Sequence, residues 1–383
     1  MFLDTGLERK DLARLLLACG QVPVLTSARP EVPALPCDSS QREGLRTTIA
    51  RTEKEARIER LIADFIPRIH VEGFAEMKKR ALSTFPRSPK VICTFHGYAN
   101  NEALKIWAAE NVERGAKLLI AQHGGAFGML SVVHKERHQR AVADRFVTWG
   151  WDDSADSKTL PLPSPKLARA KKDMVPTSGG DALLVLTAYP RFPFSIESMP
   201  QASQWLSYID DQLRFMGALS ERARPRTRIR LYSHQYGWPF RERFVDAGFE
   251  SQIDDSSVEF GKSVCRSSIC VVSYNATTYL ESFVADFPTL LFWNPRHWEL
   301  REQARPYFRA LEEAGILFHR PEDAAAQLNR VIGDPQAWWQ SEEVQRARRD
   351  FCRQFARADD GWPRKWRRAL DEIMATSKEP AWA

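Results

Sequence analysis

Two stretches of this chain each read as a buried strand, a tight polar turn and a helix start. In the first, the apolar run 118–120 leads through Ala121-Gln122-His123-Gly124-Gly125-Ala126-Phe127-Gly128 to a helix expected from about Ser131. In the second, the run 269–272 leads through Ser273-Tyr274-Asn275-Ala276-Thr277-Thr278-Tyr279-Leu280-Glu281 into another helix. In an open α/β sheet such a turn sits at the carboxyl end of a strand, where ligands bind. The turns lie roughly 150 residues apart, so the expected fold has two Rossmann-like halves whose strand tips face a cleft.

The spacing of apolar runs gives the organisation. Segments 91–95, 117–120 and 146–149 are strand candidates, with 22–25 as a short fourth. Asn100 or Asn101 can cap the next helix, with Glu102 favourably placed in its first turn. Leu104, Trp107, Ala108 and Val112 share one helical face, and Gly115 closes it. Residues 152–180 carry Pro161, Pro163, Pro165, Pro176 and Gly179-Gly180, and read as a linker. Beyond it, strands at 182–187, 227–233, 269–273 and 289–293 alternate with helices at 201–222, 240–247, 258–266 and 278–285. That alternation predicts a parallel sheet covered on both faces. After Arg296 the pattern is helical throughout. The expected class is α/β: a Rossmann-like domain over 1–151, a linker 152–180, a second Rossmann-like domain over 181–335 and a helical tail over 336–383. Only three or four strand candidates precede the linker, so the first domain is expected to be abbreviated or to lack its start.

Bulk properties narrow the partners. Lys and Arg number 55 against 49 Asp and Glu, a formal charge of +6, which favours anionic partners. The densest basic run, Arg346 to Arg349 with Arg353, Arg357 and 364–368, falls on helices. It is a solvated face or a contact with an anionic membrane or lipid-linked substrate. No basic stripe is interleaved with aromatics, so nucleic acid is not expected. The six cysteines form no CxxC pair or zinc spacing, which fits a reducing compartment. No apolar segment approaches the ~18 residues of a membrane span. Of the twelve tryptophans, Trp149, Trp151, Trp238, Trp293 and Trp298 flank the proposed turns, and the core reading is preferred for them.

The turns themselves carry the chemistry. Asn275, Thr277 and Thr278 cluster at a helix start, where free N–H groups and the helix dipole favour phosphate. Thr278-x-x-Glu281 is also a capping box, which stabilises a helix with no ligand. Gly124 and Gly125 let a ligand approach the backbone. His123 on that turn is a general base, a phosphate contact or a hydrogen-bonded turn histidine. No second ligand stands at metal spacing from it, and His134 and His138 read as surface histidines. His234 follows one strand of the second half, and Arg191 holds the equivalent place after its first strand. Glu102 and Asp144 are carboxylate bases or helix-terminal charges. There is no G-x-G-x-x-G, Walker A, G-x-S-x-G or kinase pattern.

Asn101-Glu102-x-x-Lys105, Gln122-His123-Gly124-Gly125-x-x-Gly128, Asp144-Arg145-Phe146-x-x-Trp149-Gly150-Trp151, Tyr274-Asn275-x-Thr277-Thr278-x-Leu280-Glu281, Pro288-Thr289 and Trp338-Trp339 together resemble a family of surface-carbohydrate transferases. The resemblance spans roughly residues 90–360. More distantly the chain is similar to CDP-glycerol glycerophosphotransferases and capsule Kdo transferases. The resemblance implies a GT-B fold, an acceptor-side first domain and a nucleotide-donor-binding second domain. It implies a metal-independent transferase with no cofactor beyond its nucleotide-activated sugar substrate. His123, with Glu102 as a carboxylate candidate, becomes catalytic. Gly124, Gly125, Arg191, His234, Asn275, Thr277, Thr278 and Glu281 become donor- or phosphate-binding. The partners are a nucleotide-sugar donor and a carbohydrate or lipid-linked acceptor; the cysteine usage and the lack of a span or secretory signal make the expected location cytoplasmic, with peripheral contact to an anionic membrane as one reading of the basic helices. Family members have a longer N-terminal region. The alternative is a non-catalytic nucleotide- or sugar-binding protein, a degraded transferase within an assembly complex.

Overall fold

The computed structural model describes residues 1–22, 29–31, 35–46, 52–254 and 260–376. The chain divides into two compact units. One comprises Met1–Arg9, Val22–Ala121 and Ala369–Ala383, and the other Lys10–Gln21 and Gln122–Arg368. Helix α1 (Arg9–Ala18) belongs almost wholly to the second.

The first unit holds α2 (Ser39–Arg46), α3 (Glu53–Phe65), α4 (Phe74–Thr84), β1 (Val91–Thr94), α5 (Gly97–Asn100), α6 (Glu102–Glu113) and β2 (Lys117–Ala121). Every residue of β1 is buried, and the strand pairs in parallel with β2, Val91 opposite Lys117. Burial on both faces is why these strands read as unbroken apolar runs. Asn101 caps α6, its Oδ1 accepting the Leu104 N–H at 3.0 Å. Gly115, at φ +96°, takes the left-handed turn that ends the helix. Leu3, Met77, Phe85, Ile92, Leu104 and Trp107 form the core. The Trp107 ring lies 5.3 Å from Phe85, and its Nε1–H donates to the Pro86 carbonyl at 2.9 Å. An unexpected addition lies beside β1. The Leu3 N–H donates to the Cys93 carbonyl at 3.0 Å, and the Cys93 N–H to that of Met1 at 2.8 Å. The expected strand at 22–25 lies, apart from Val22, outside the described residues.

The second unit begins with α7 (His134–Val142), β3 (Arg145–Thr148), β4 (Thr159–Pro161) and α8 (Pro165–Asp173). β3 pairs in parallel with β4, Phe146 opposite Thr159. The stretch 152–180 therefore holds a strand and a helix. Its Pro165 sits at the first position of α8, where the missing N–H costs nothing, and Ser164 Oγ accepts the Leu167 N–H at 3.3 Å. Then come β5 (Asp181–Val185), α9 (Gln204–Gly217), β6 (Thr227–Arg230), α10 (Phe240–Asp246), α11 (Phe260–Val264), β7 (Ser267–Val272), α12 (Thr277–Val284) and β8 (Thr289–Phe292). Last are α13 (Arg305–Glu313), β9 (Leu317–Phe318), α14 (Pro321–Val331), α15 (Pro335–Trp339), α16 (Glu342–Phe355) and α17 (Trp362–Thr376), whose residues from Ala369 on count with the first unit.

These strands build a five-stranded parallel sheet in the order β6-β5-β7-β8-β9. Strand β9 corrects the expectation of an all-helical tail: Leu317 and Phe318 pair with Leu291 and Phe292. Two residues are too few to show a period, so the apolar pair merges into its helical surroundings. Trp149, Trp151, Trp238, Trp293 and Trp298 are all buried, as the core reading has it. The chain leaves β5 for β6 on one side and reaches β7 on the other. The order therefore reverses between β5 and β7, and in open α/β sheets such a switch point is where ligands bind.

Candidate functional site

The turn after β7 lies at that switch point. Ser273 fastens the two strand tips together: its Oγ donates to the Val185 carbonyl at 3.2 Å and meets the Tyr208 hydroxyl at 2.9 Å. That hydroxyl also accepts the Thr187 N–H at 3.0 Å. Burial pushes the Tyr208 phenol far above its ordinary value, so it stays a neutral hydrogen-bonding group. Asn275 comes next and is only 2% exposed. Its Oδ1 accepts the Tyr279 hydroxyl at 2.9 Å, while its Nδ2 meets no acceptor among the described residues. A buried amide donor left this way costs about 1–3 kcal/mol.

The start of α12 is bare in the same sense. Ala276 occupies the cap position with no side-chain acceptor for the first-turn N–H groups. The capping box read from Thr278 and Glu281 does not cap the helix. Thr278 Oγ1 instead meets the Tyr274 hydroxyl at 2.5 Å, and Glu281 pairs with Lys166 at 3.0 Å. Thr277 Oγ1 accepts the Gly125 N–H at 3.0 Å. A hydroxyl has one donor and two acceptor positions, so that bond leaves the Thr277 O–H to donate.

This contact joins the two sequence signatures. Gly125 lies so close to α12 that a Cβ there would come within 2.5 Å of the Ala276 carbonyl oxygen. Only glycine allows such an approach. Gln122 holds the rest of the turn. It is fully buried, and its Nε2 donates to the Gly124 carbonyl at 2.7 Å. Its Oε1 accepts the Trp149 N–H at 3.0 Å and the Trp151 Nε1–H at 2.9 Å. His123, half-buried beside this clamp, sets its ring edge-on to Phe127 at 5.0 Å. Further along, Gly128 N–H donates to buried Glu136 at 2.9 Å, and Tyr279 reaches Met129 Sδ at 3.3 Å.

Arg191 and His234 form a second group, on the loops after β5 and β6. The Arg191 N–H donates to the Tyr236 carbonyl at 3.2 Å, and its guanidinium lies 5.6 Å from the centre of the Trp238 ring. His234 Nδ1 is 3.2 Å from Ser233 Oγ, and both side chains are exposed. The loop carrying Arg191 is tied to the chain beyond the His123 turn, because Val132 N–H donates to Ser198 Oγ at 3.0 Å. Glu102 belongs to the first unit, where it pairs with Lys105 at 2.5 Å and His70 at 3.7 Å. His134 is exposed, as read, and pairs with Glu197 at 2.6 Å. Gln122 and Ser273 were not singled out in the sequence. The only available signal was a polar residue directly beyond each buried apolar run.

Among the described residues, no three His, Cys, Asp or Glu side chains group as a metal site, and no helix is long and apolar enough to cross a membrane.

The fold defines the class: a GT-B-like α/β protein built from Rossmann-like, parallel-stranded domains. The S. aureus MnaA–UDP co-structure is similar at a TM-score of 0.51, with 10% identity over 99% of this chain and 98% of that one. A crystal structure of a UDP-N-acetylglucosamine 2-epimerase-like protein from Listeria monocytogenes is similar at 0.51, with 11% identity and the same coverage. At such identities the likeness speaks for the fold alone. No curated protein matches the chain. The model of the LIC12162 family transferases matches residues 1–370. The chain belongs to that family.

Proposed function

We propose that this transferase moves a glycosyl or glycerophosphate-type group from a nucleotide-activated donor to a surface-polysaccharide or lipid-linked acceptor. The donor phosphates sit at the start of α12. The first-turn N–H groups, the Thr277 hydroxyl and the Asn275 amide meet their oxygens. As the bond to the leaving phosphate breaks, charge grows on an oxygen already faced by fixed donors, which is electrostatic stabilisation without a metal. His123 takes the proton of the attacking acceptor hydroxyl. Glu102 is the weaker candidate for that step, since its carboxylate is already shared by Lys105 and His70. Arg191 and His234 extend the donor site toward the nucleotide. The enzyme works on the cytoplasmic side, peripheral to an anionic membrane surface.

One observation carries this reading: a buried Asn275 donor without an acceptor among the described residues, beside a helix start with no side-chain cap among them, where the His123 turn docks on Thr277. A hydrogen bond to a charged group adds about 1.5–3 kcal/mol. Asn275→Asp, which turns the donor into an anion, should weaken donor binding by roughly 10- to 100-fold. The test is a thermal-shift panel of CMP, CDP, UDP and GDP. One nucleotide class is expected to stabilise the wild type and not Asn275→Asp. His123→Ala should keep the shift and lose transfer. If no nucleotide raises the melting temperature, or Asn275→Asp responds like the wild type, the proposal fails.

A further inference from the structure

The far end of α12 leads to a second concavity. A cavity of about 490 Å³ lies against the ends of α8 and α12 and one side of α16. Its charged lining is Lys171, Arg348, Arg349, Arg353 and Arg357 against Asp286 alone, five positive groups minus one negative, or +4. Asp286 is already engaged, because its Oδ1 accepts the Trp339 Nε1–H and Gln345 Nε2–H, each at 2.9 Å, and pairs with Arg348 at 3.2 Å. Arg348 is a wall of the cavity rather than a free charge, since it also donates to the Phe283 carbonyl at 2.6 Å. Arg353 pairs with Asp350 at 3.2 Å. Lys171, Arg349 and Arg357 are exposed and form no direct ion pair among the described residues, although Asp360 is within electrostatic reach of Lys171 and Asp359 of Arg357.

Like charges gathered around one hollow repel each other and destabilise the compact state unless an anion joins them. Arg349 and Arg353 are four residues apart on α16 and share a face. Guanidinium pairs of this kind take phosphate oxygens in bidentate fashion. The eight residues of α12, at about 1.5 Å each, put roughly 12 Å of helix between this cavity and Thr277. The cavity is therefore a separate place from the proposed donor site; only its headgroup alternative rests on the membrane contact proposed above.

We propose that the cavity is an anion site for a phosphate-bearing ligand, either a free diphosphate or the phosphate headgroups of an anionic bilayer. The test uses the full-length protein, its Asn275→Asp variant and an Arg349→Gln/Arg357→Gln double variant. Pyrophosphate binding is measured by calorimetry in the Asn275→Asp background, where donor-site binding is weakened, with and without the Arg349→Gln/Arg357→Gln changes, so that the difference reports this cavity. Co-sedimentation is measured with phosphatidylglycerol vesicles and with phosphatidylcholine vesicles. At about 1 kcal/mol for each basic side chain facing anionic headgroups, the double variant should bind roughly 30-fold more weakly. Pyrophosphate binding alone supports a soluble ligand, and phosphatidylglycerol binding alone supports headgroups. Lys171→Gln, on a different helix, should weaken the same ligand. If the folded wild type binds neither ligand, or the double variant binds as well as its parent, the site does not exist.

Discussion

Gly125→Ala tests the closest approach in the site. The added methyl would meet the Ala276 carbonyl oxygen at 2.5 Å, its carbon at 2.6 Å and the Thr277 nitrogen at 2.8 Å. All three are backbone atoms at the base of α12, so no side chain can swing aside. Either the turn withdraws and loses the Gly125 N–H to Thr277 Oγ1 bond, or the helix start shifts. Overpacking of this kind costs about 1–3 kcal/mol, and the lost hydrogen bond about 0.5–1.5 kcal/mol. Together they predict about 2–4 kcal/mol. A domain of roughly 150–250 residues loses about 2–4 °C per kcal/mol, so the melting temperature should fall by about 4–16 °C. Gly124→Ala is the internal control. Its methyl would find nothing nearer than Phe127 Cε2 at 3.8 Å, which is ordinary contact. Differential scanning fluorimetry of both variants, with and without the stabilising nucleotide, separates the effects. Gly125→Ala should also weaken the nucleotide response, because the donors it displaces are those proposed to hold phosphate. If both alanine variants melt with the wild type and respond equally to nucleotide, the two turns do not meet as described.

The strand tips were legible because burial on both faces leaves a long apolar run that a polar turn must end. Thus β1, β2, β3, β5, β7 and β8 all fall within, or one or two residues from, their expected positions. The Asn101 cap and Gly115 stop were equally legible, since cap chemistry is local. What escaped was set by partners far along the chain. Prolines in 152–180 read as linker punctuation, yet Pro165 begins a helix and Pro161 ends a strand. The capping box had the right letters, but Thr278 found Tyr274, Glu281 found Lys166, and Thr277 beside them found Gly125. No local pattern announces a bond across 152 residues. The same holds for Gln122, whose three bonds reach Gly124, Trp149 and Trp151. Its role follows only from its complete burial, which demands that a polar side chain satisfy itself.

Gln122→Leu should therefore strand two buried donors, the Trp149 N–H and the Trp151 Nε1–H, at a cost of about 2–5 kcal/mol. A Gln122→Leu urea midpoint equal to that of the wild type would remove Gln122 from its clamping role. Two histidines should bend the pH dependence of stability in opposite senses. Burial is the main cause that lowers the His297 pKa, against Asp211 and Glu299, which raise it. The unfolded chain then takes up a proton at His297 before the folded protein does. Its contribution is complete above an ordinary histidine value of 6.5 and is lost as pH falls through the lowered folded value. At His319 the hydrogen bond with Glu312 is the main cause that raises the pKa. That contribution is complete below 6.5 and is lost as pH rises through the raised folded value. Urea midpoints measured from about pH 5 to about pH 8 for the wild type, His297→Gln and His319→Gln separate the two. Relative to the wild type, His297→Gln should gain stability on the acid side and His319→Gln should lose it there. Difference curves that do not change with pH would refute both assignments, because a merely structural effect of either glutamine shifts the whole profile without tilting it.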